Sequence, residues 1–198
     1  MKKIIIAIIV VAVVGVGLTF YFLNQNKNSD NSSLETANSP ERTTGLYVGD
    51  DFTIVSPKDW IQTHYLPPTR VSFQNPNEKH PEGSAASKIN FKSYIAVSFF
   101  DNTQGKTLEE IAELVKQQVQ AVAPSVSFGS ETDEMIDGQS AKIIEADLNQ
   151  QNVDFRVLMA VVMKSDKYFT ISANTTAQKW TEYSEIFYDT IRSFKFKK

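Results

Sequence analysis

Ile4 to Leu23 are twenty consecutive positions without a charge, and fourteen of them are Ile, Val, Leu or Phe. As a helix rising about 1.5 Å per residue the run is roughly 30 Å long, the hydrocarbon thickness of a bilayer. A helix satisfies its backbone hydrogen bonds internally, which is what lipid demands. Each of the fourteen side chains favours insertion by about 0.3–0.6 kcal/mol at the helix centre, a ceiling of about 4–8 kcal/mol together. Lys2 and Lys3 precede the run and the next cation is Lys27. The positive-inside rule then places the N-terminus in the cytoplasm and the rest beyond the membrane. The competing reading is a cleaved signal peptide. It calls for a shorter apolar core ending in a small-x-small site. Thr19 to Gln25 reads TFYFLNQ and offers no Ala-x-Ala. The sequence therefore predicts a cytoplasmic tip at 1–3, a single-pass anchor at 4–23 in the cytoplasmic membrane, and an extracytoplasmic remainder.

Residues 24–44, NQNKNSDNSSLETANSPERTT, carry one Leu, no aromatic and no periodicity. Such a stretch buries too little apolar surface to offset the entropy of ordering it. It reads as a flexible linker of about 21 residues with a root-mean-square span near 25 Å. A folded domain is expected at 45–198, large enough for its own core.

Composition excludes several functions. The chain has no cysteine, so disulfides, thiolate metal sites, a cysteine nucleophile and a lipidated cysteine are out. A net charge of −3 makes a poor polyanion binder, and no nucleic-acid partner is expected.

Within 45–198 the pattern alternates between strand and helix signals. Leu46-Tyr47-Val48 and Phe52 to Val55 flank Gly49-Asp50-Asp51 as a hairpin. Arg70 to Phe73 and Tyr94 to Phe100 read as strands, separated by a polar loop with Pro and Gly at 75–88. Thr107-Leu108-Glu109-Glu110 is a capping box. Leu108, Ile111, Val115, Val119 and Val122 follow at helical spacing, and Pro124 closes the element. Glu109, Glu110 and Glu113 complement the helix dipole, which explains them better than metal binding does. Strands resume at Val126. Asp137-Gly138 and 149–152 read as turns, and Phe155 to Met163 (FRVLMAVVM) reads as a strand buried on both faces. Tyr168 to Ala173 follows. A last helix is expected from about Thr175, its Trp180, Tyr183, Phe187, Ile191 and Phe194 packing on a sheet. The order is strands, helix, strands, helix, an α+β class with a largely antiparallel sheet.

These residues also form a family pattern. Phe52-x-Ile-x-x-Pro57-x-x-Trp60, Val71-x-Phe73, the Thr107 helix start, Asp137-Gly138-x-x-Ala141, Lys167-Tyr168 followed by Ala173, and the aromatic terminal helix occur in succession. Over about 46–196 the chain resembles the PsbP-like domain, of the superfamily that includes the Mog-type and DcrB/LpqN proteins. The resemblance implies an αβα sandwich around a central antiparallel sheet. It also implies a non-enzymatic role as a subunit, adaptor or envelope protein. A photosystem role is not carried over.

No catalytic, cofactor or metal residue is assigned. His64 and His80 are sixteen positions apart in polar sequence and read as exposed loop histidines. Glu131, Asp133 and Glu134 lack calcium-loop spacing and read as a solvated acidic stretch. No Gly-x-Ser-x-Gly, Ser-x-x-Lys or Walker loop occurs. The leading expectation is a membrane-anchored interaction module with a protein partner. Its contact surface would lie in the mobile 61–90 region, at Tyr65, Leu66, Pro67, Pro68, Lys79 and His80. The alternatives are a binding protein for a small apolar or lipid ligand in a cleft between sheet and helix, and an unrecognised hydrolase.

Overall fold

The computed structural model describes residues 45–63 and 67–197. The expected anchor at 4–23 and linker at 24–44 lie outside the described residues, as do His64, Tyr65 and Leu66. No helix among the described residues is long and apolar enough to cross a membrane.

The hairpin β1 (Leu46–Val48) and β2 (Phe52–Val55) comes first, followed by β3 (Ile61–Thr63) and β4 (Thr69–Gln74). The short helix α1 (Ala85–Lys88) precedes β5 (Tyr94–Asp101), and α2 (Leu108–Val122) follows it. Four long strands then meander: β6 (Ser127–Ile136), β7 (Gln139–Gln150), β8 (Val153–Lys164) and β9 (Lys167–Thr176). The chain closes with α3 (Trp180–Arg192) and β10 (Lys195–Phe196). The strands form a seven-stranded sheet ordered β3-β4-β5-β9-β8-β7-β6 and a small sheet ordered β1-β2-β10. Every pairing is antiparallel.

Local chemistry sets the meander. Asp137 and Gly138 both have positive φ, as do Gln151 and Asn152, the conformations of the two-residue turns that match strand twist. The register follows, with Ile136 opposite Gln139 and Gln150 opposite Val153. The second turn is tighter than the sequence suggests, because Asn149 pairs with Asp154 inside the ladder.

β8 shows why the sheet needs two covers. Its side chains alternate between two cores. Val157, Met159 and Val161 join Ile111, Val115 and Val119 of α2. Leu158, Ala160 and Val162 join Tyr183, Phe187 and Ile191 of α3. α2 thus packs on one face, over β7 and β8, and α3 on the other, over β8 and β9. This is the expected sandwich. The inner face of the small sheet completes the α3 side. Phe52 stacks on Phe194 at 5.1 Å, and Phe196 meets Phe169 at 5.3 Å.

Four details differ from the sequence reading. The last helix begins at Trp180, not near Thr175. Thr175 and Thr176 instead extend β9 by pairing with Arg156 and Phe155, and ladder bonds outweigh a Ser/Thr-type cap. Val122 is 39% exposed, while Val119 and Ala123 beside it are buried in the core under α2. The strand expected to resume at Val126 starts at Ser127 and runs unbroken to Ile136 as β6, with a register shift between Phe128 and Glu131. The short elements β3, α1 and β10 carry too few residues for any periodic signal.

Phe187, fully buried on the sheet-facing side of α3, anchors the core it forms with Leu158, Ala160 and Val162. Phe187→Ala is expected to cost about 3–5 kcal/mol in denaturant unfolding, against less than about 0.5 kcal/mol for the exposed Val122→Ala.

Candidate functional site

The stretch joining β4 to β5 is tied to the sheet by a buried carboxylate. The Glu78 side chain is fully enclosed. One of its oxygens accepts from the Ser93 backbone N–H, and the other accepts from Ser93 Oγ at 3.0 Å. Ser93 Oγ is also hydrogen bonded to Thr175 Oγ1 on β9 at 2.7 Å. Lys92 Nζ donates to the Glu78 carbonyl. Upstream, Asn75 Oδ1 accepts from Asn77 N at 3.0 Å, and Asn75 Nδ2 donates to Tyr183 OH on α3 at 2.8 Å. Downstream, Ser84 caps α1 by accepting from Ser87 N. A buried carboxylate is tolerated because each oxygen is hydrogen bonded; left unpaired it would cost several kcal/mol, about as much as a domain can lose.

His80 corrects the sequence reading. Its side chain is 5% exposed, not solvated. Its Nε2 lies 3.1 Å from the Phe91 carbonyl and 3.6 Å from Glu78 Oε1, and its ring packs on Phe91 at 5.9 Å. His80 therefore braces the loop from beneath. Lys79, its neighbour, points outward. Between β3 and β4, the Pro67–Pro68 bond is cis, with Pro67 exposed and Pro68 half-buried. Tyr65 and Leu66 lie outside the described residues. Of the six candidate contact residues, Pro67 and Lys79 are thus placed on the surface, Pro68 partly so, and His80 inside. Sequence reasoning missed Glu78, Ser93 and Thr175. Fifteen residues separate the first two and eighty-two the last, and no local signal links them.

The group holds a serine, a histidine and a glutamate but lacks the order a nucleophile needs. A triad places imidazole between hydroxyl and carboxylate, so that it can take the hydroxyl proton. Here the Ser93 hydroxyl meets the carboxylate directly, and His80 Nε2 faces a carbonyl and that same carboxylate. The arrangement holds the loop and exposes no reacting atom. Among the described residues no three His, Asp or Glu converge on a metal-sized space.

A second polar cluster lies on the α3 face. Glu145 accepts from Arg156 at 2.6 Å and from Tyr188 OH at 3.0 Å, and the Arg156 guanidinium sits 4.7 Å over Trp180. The acidic stretch of β6 is ion-paired, through Lys116–Glu131, Lys142–Asp133 and Arg192–Glu134 at 2.7–2.9 Å. A depression of about 350 Å³ on the outer side of α2 is lined by Lys106, Glu109, Glu110, Glu113, Leu114 and Gln117, a charged wall unsuited to an apolar ligand.

A double-covered antiparallel sheet with an irregular, carboxylate-pinned loop defines an α+β sandwich module. The PsbP family model matches residues 46–196, and the chain belongs to that family. No curated protein matches it. Among solved structures, it is similar to the cyanobacterial PsbP, CyanoP, from Synechocystis sp. PCC 6803, at 17% identity and a TM-score of 0.58. That match covers 84% of this chain and 98% of CyanoP. LpqN of Mycobacterium tuberculosis, described as involved in cell envelope biogenesis, is similar at 10% identity and a TM-score of 0.58. There 74% of this chain and 83% of LpqN are covered. PA94 of Pseudomonas aeruginosa, a protein of unknown function, is similar at 14% identity and a TM-score of 0.51, over 75% of this chain and 93% of PA94. At these identities the likenesses speak for the fold.

Glu78→Gln sets an amide N–H₂ against one of the Ser93 donors. It is expected to cost about 1–3 kcal/mol in urea unfolding, while Lys79→Ala stays within about 0.5 kcal/mol. Tyrosine titration checks the surroundings. Burial, joined by the negative charge of Glu78, pushes the Tyr183 hydroxyl up to about 12. Burial and the bond to Glu145 do the same for Tyr188, also to about 12. Both values exceed the ordinary 10, so the fold favours the neutral phenols. Their contribution is whole below pH 10 and is lost as pH climbs from 10 towards 12. In ultraviolet titration, Tyr183→Phe and Tyr188→Phe are each expected to remove one phenolate from the step near pH 12.

Proposed function

We propose that this PsbP-family chain is a membrane-anchored, extracytoplasmic accessory module that acts by binding a protein partner and not by catalysis. The observation that carries the reading is the division of the chain. An uncharged apolar run behind two lysines precedes a family domain in which an enclosed carboxyl group braces a surface loop. The envelope role in LpqN's description accords with this reading.

The contact surface lies at Lys79, on the stretch that follows β4; Pro67 and Pro68, with Tyr65 and Leu66 beside them in sequence, precede β4 and so lie at its opposite end. His80 supports this surface from behind. A loop already held by Glu78 loses little conformational freedom on binding, which lowers the cost of association.

Two measurements test the proposal. The full-length chain is expected in the membrane pellet after alkaline carbonate washing, with 45–198 digested by protease added outside intact spheroplasts. A cytosolic or carbonate-soluble chain overturns the anchor. A photo-crosslinker replacing Lys79 in cells is expected to capture a discrete partner that one replacing Gln117, on α2, does not. Identical products at both positions remove the loop from the reading.

A further inference from the structure

The small sheet has one face in the core and one in solvent. On β1 and β2, Leu46 stands opposite Val55 and Val48 opposite Thr53. Thr53 in turn stands opposite Lys195 of β10. Alternation sends Tyr47, Phe52, Ile54 and Phe196 inward and leaves the other set facing out. Leu46 is 60% exposed, Val48 59% and Val55 44%. Three large aliphatic side chains thus share one corner of an open face. Scattered exposed apolar residues need no explanation, but a contiguous group marks a contact surface.

The same face is basic at its other side. Lys197 continues β10, its backbone N–H bonding the Asp51 carbonyl, so Lys195 and Lys197 point to the same side. Lys197 Nζ reaches across to the Gly49 carbonyl at 2.9 Å. Asp51, the acidic residue in this row, is paired with Lys167 at 3.1 Å. Asp50 lies at the hairpin tip, and Lys58 and Asp59 follow β2 as an opposite pair. An aliphatic corner beside two lysines is the chemistry of an anionic lipid surface, where apolar groups enter the headgroup boundary and cations meet phosphates.

The position of this face in the chain selects the occupant. Residue 45, where the described structure begins, adjoins Leu46, and the Gly45 carbonyl accepts from Ser56 N just after Val55. The chain therefore leaves the domain at the aliphatic corner, towards the apolar run 21 residues away. A short tether holds its ends at an effective concentration in the millimolar range, enough to populate a weak contact.

We infer that the outer face of the β1–β2–β10 sheet rests on an anionic bilayer through Leu46, Val48 and Val55, with Lys195 and Lys197 on the headgroups. This rests on the anchor reading above. It leaves the 75–93 stretch, at the Tyr94 end of β5 and away from the Phe99–Phe169 end on which the small sheet packs, available to a partner.

The cysteine-free sequence allows a single probe. Full-length chains carrying Val48→Cys or, as control, Gln117→Cys on α2 are labelled with an environment-sensitive fluorophore. They are reconstituted into phosphatidylcholine vesicles, with or without phosphatidylglycerol, that contain nitroxide-labelled lipid. Both positions are exposed, so the core is undisturbed. The expected result is strong quenching at position 48 and weak quenching at 117. Quenching at 48 should fall when phosphatidylglycerol is omitted, and docking should weaken about fivefold for each of Lys195→Ala and Lys197→Ala. Equal quenching at 48 and 117 overturns the inference while leaving the anchor intact. Quenching at 48 that ignores phosphatidylglycerol and both lysines also overturns it. So does an unlabelled Val48→Cys chain that, under an added oxidant, forms a disulfide-linked dimer regardless of lipid. A chain that fails to float with the vesicles overturns the anchor reading and this inference together.

Discussion

The fold depends on a sheet whose central strands are apolar on both faces. β8 sends Val157, Met159 and Val161 to one side and Leu158, Ala160 and Val162 to the other. An antiparallel sheet can leave one face in water, but this one cannot. Each face requires its own helix, and the chain supplies them at different points. α2 crosses from β5 to the far edge strand β6, and α3 returns after β9. The small sheet then closes what α3 leaves open, through Phe52, Phe194, Phe196 and Phe169.

With the sheet covered, the irregular connection from β4 to β5 becomes the place where the molecule holds a charge in its interior. The Glu78 carboxyl oxygens are satisfied by Ser93, its backbone carbonyl accepts from Lys92 Nζ, and the His80 ring lies 3.6 Å from Oε1. Through Ser93 the loop is bonded to Thr175 on β9, and through Asn75 to Tyr183 on α3. Buried polar networks of this kind specify one arrangement more than they add stability. In this network the Ser93 hydroxyl meets the Glu78 carboxyl directly, without an imidazole between them.

Much of the architecture was legible in local patterns. The capping box at Thr107 and Glu110 forms as its spacing implies. The Asp137-Gly138 turn adopts the conformation its residues favour, and within FRVLMAVVM the six residues Val157 to Val162 are buried on both faces while Phe155, Arg156 and Met163 are half-buried. Boundaries were less legible where two signals competed. Thr175 and Thr176 resemble a helix start, yet β8 offers them ladder partners, and the strand runs on. The candidate site was legible only as a region. Polar composition with Pro and Gly marked 75–88 as a loop, but nothing local showed that Glu78 would be enclosed or that His80 would turn inward while Lys79 faced out.

Sequence alone determined the class, the order of the long elements, the Thr107 cap, the Asp137-Gly138 turn and the family pattern, because each depends on neighbours a few residues apart. It also marked the apolar run at 4–23, whose meaning comes from length and lack of charge. Only tertiary structure decided which side chains of the 75–93 segment are buried, which face of the first hairpin is open, and where Lys195 and Lys197 lie relative to Leu46 and Val48. Those facts arise from contacts between residues 11 to 148 positions apart, and contacts beyond a helical or strand repeat leave no periodic trace along the chain.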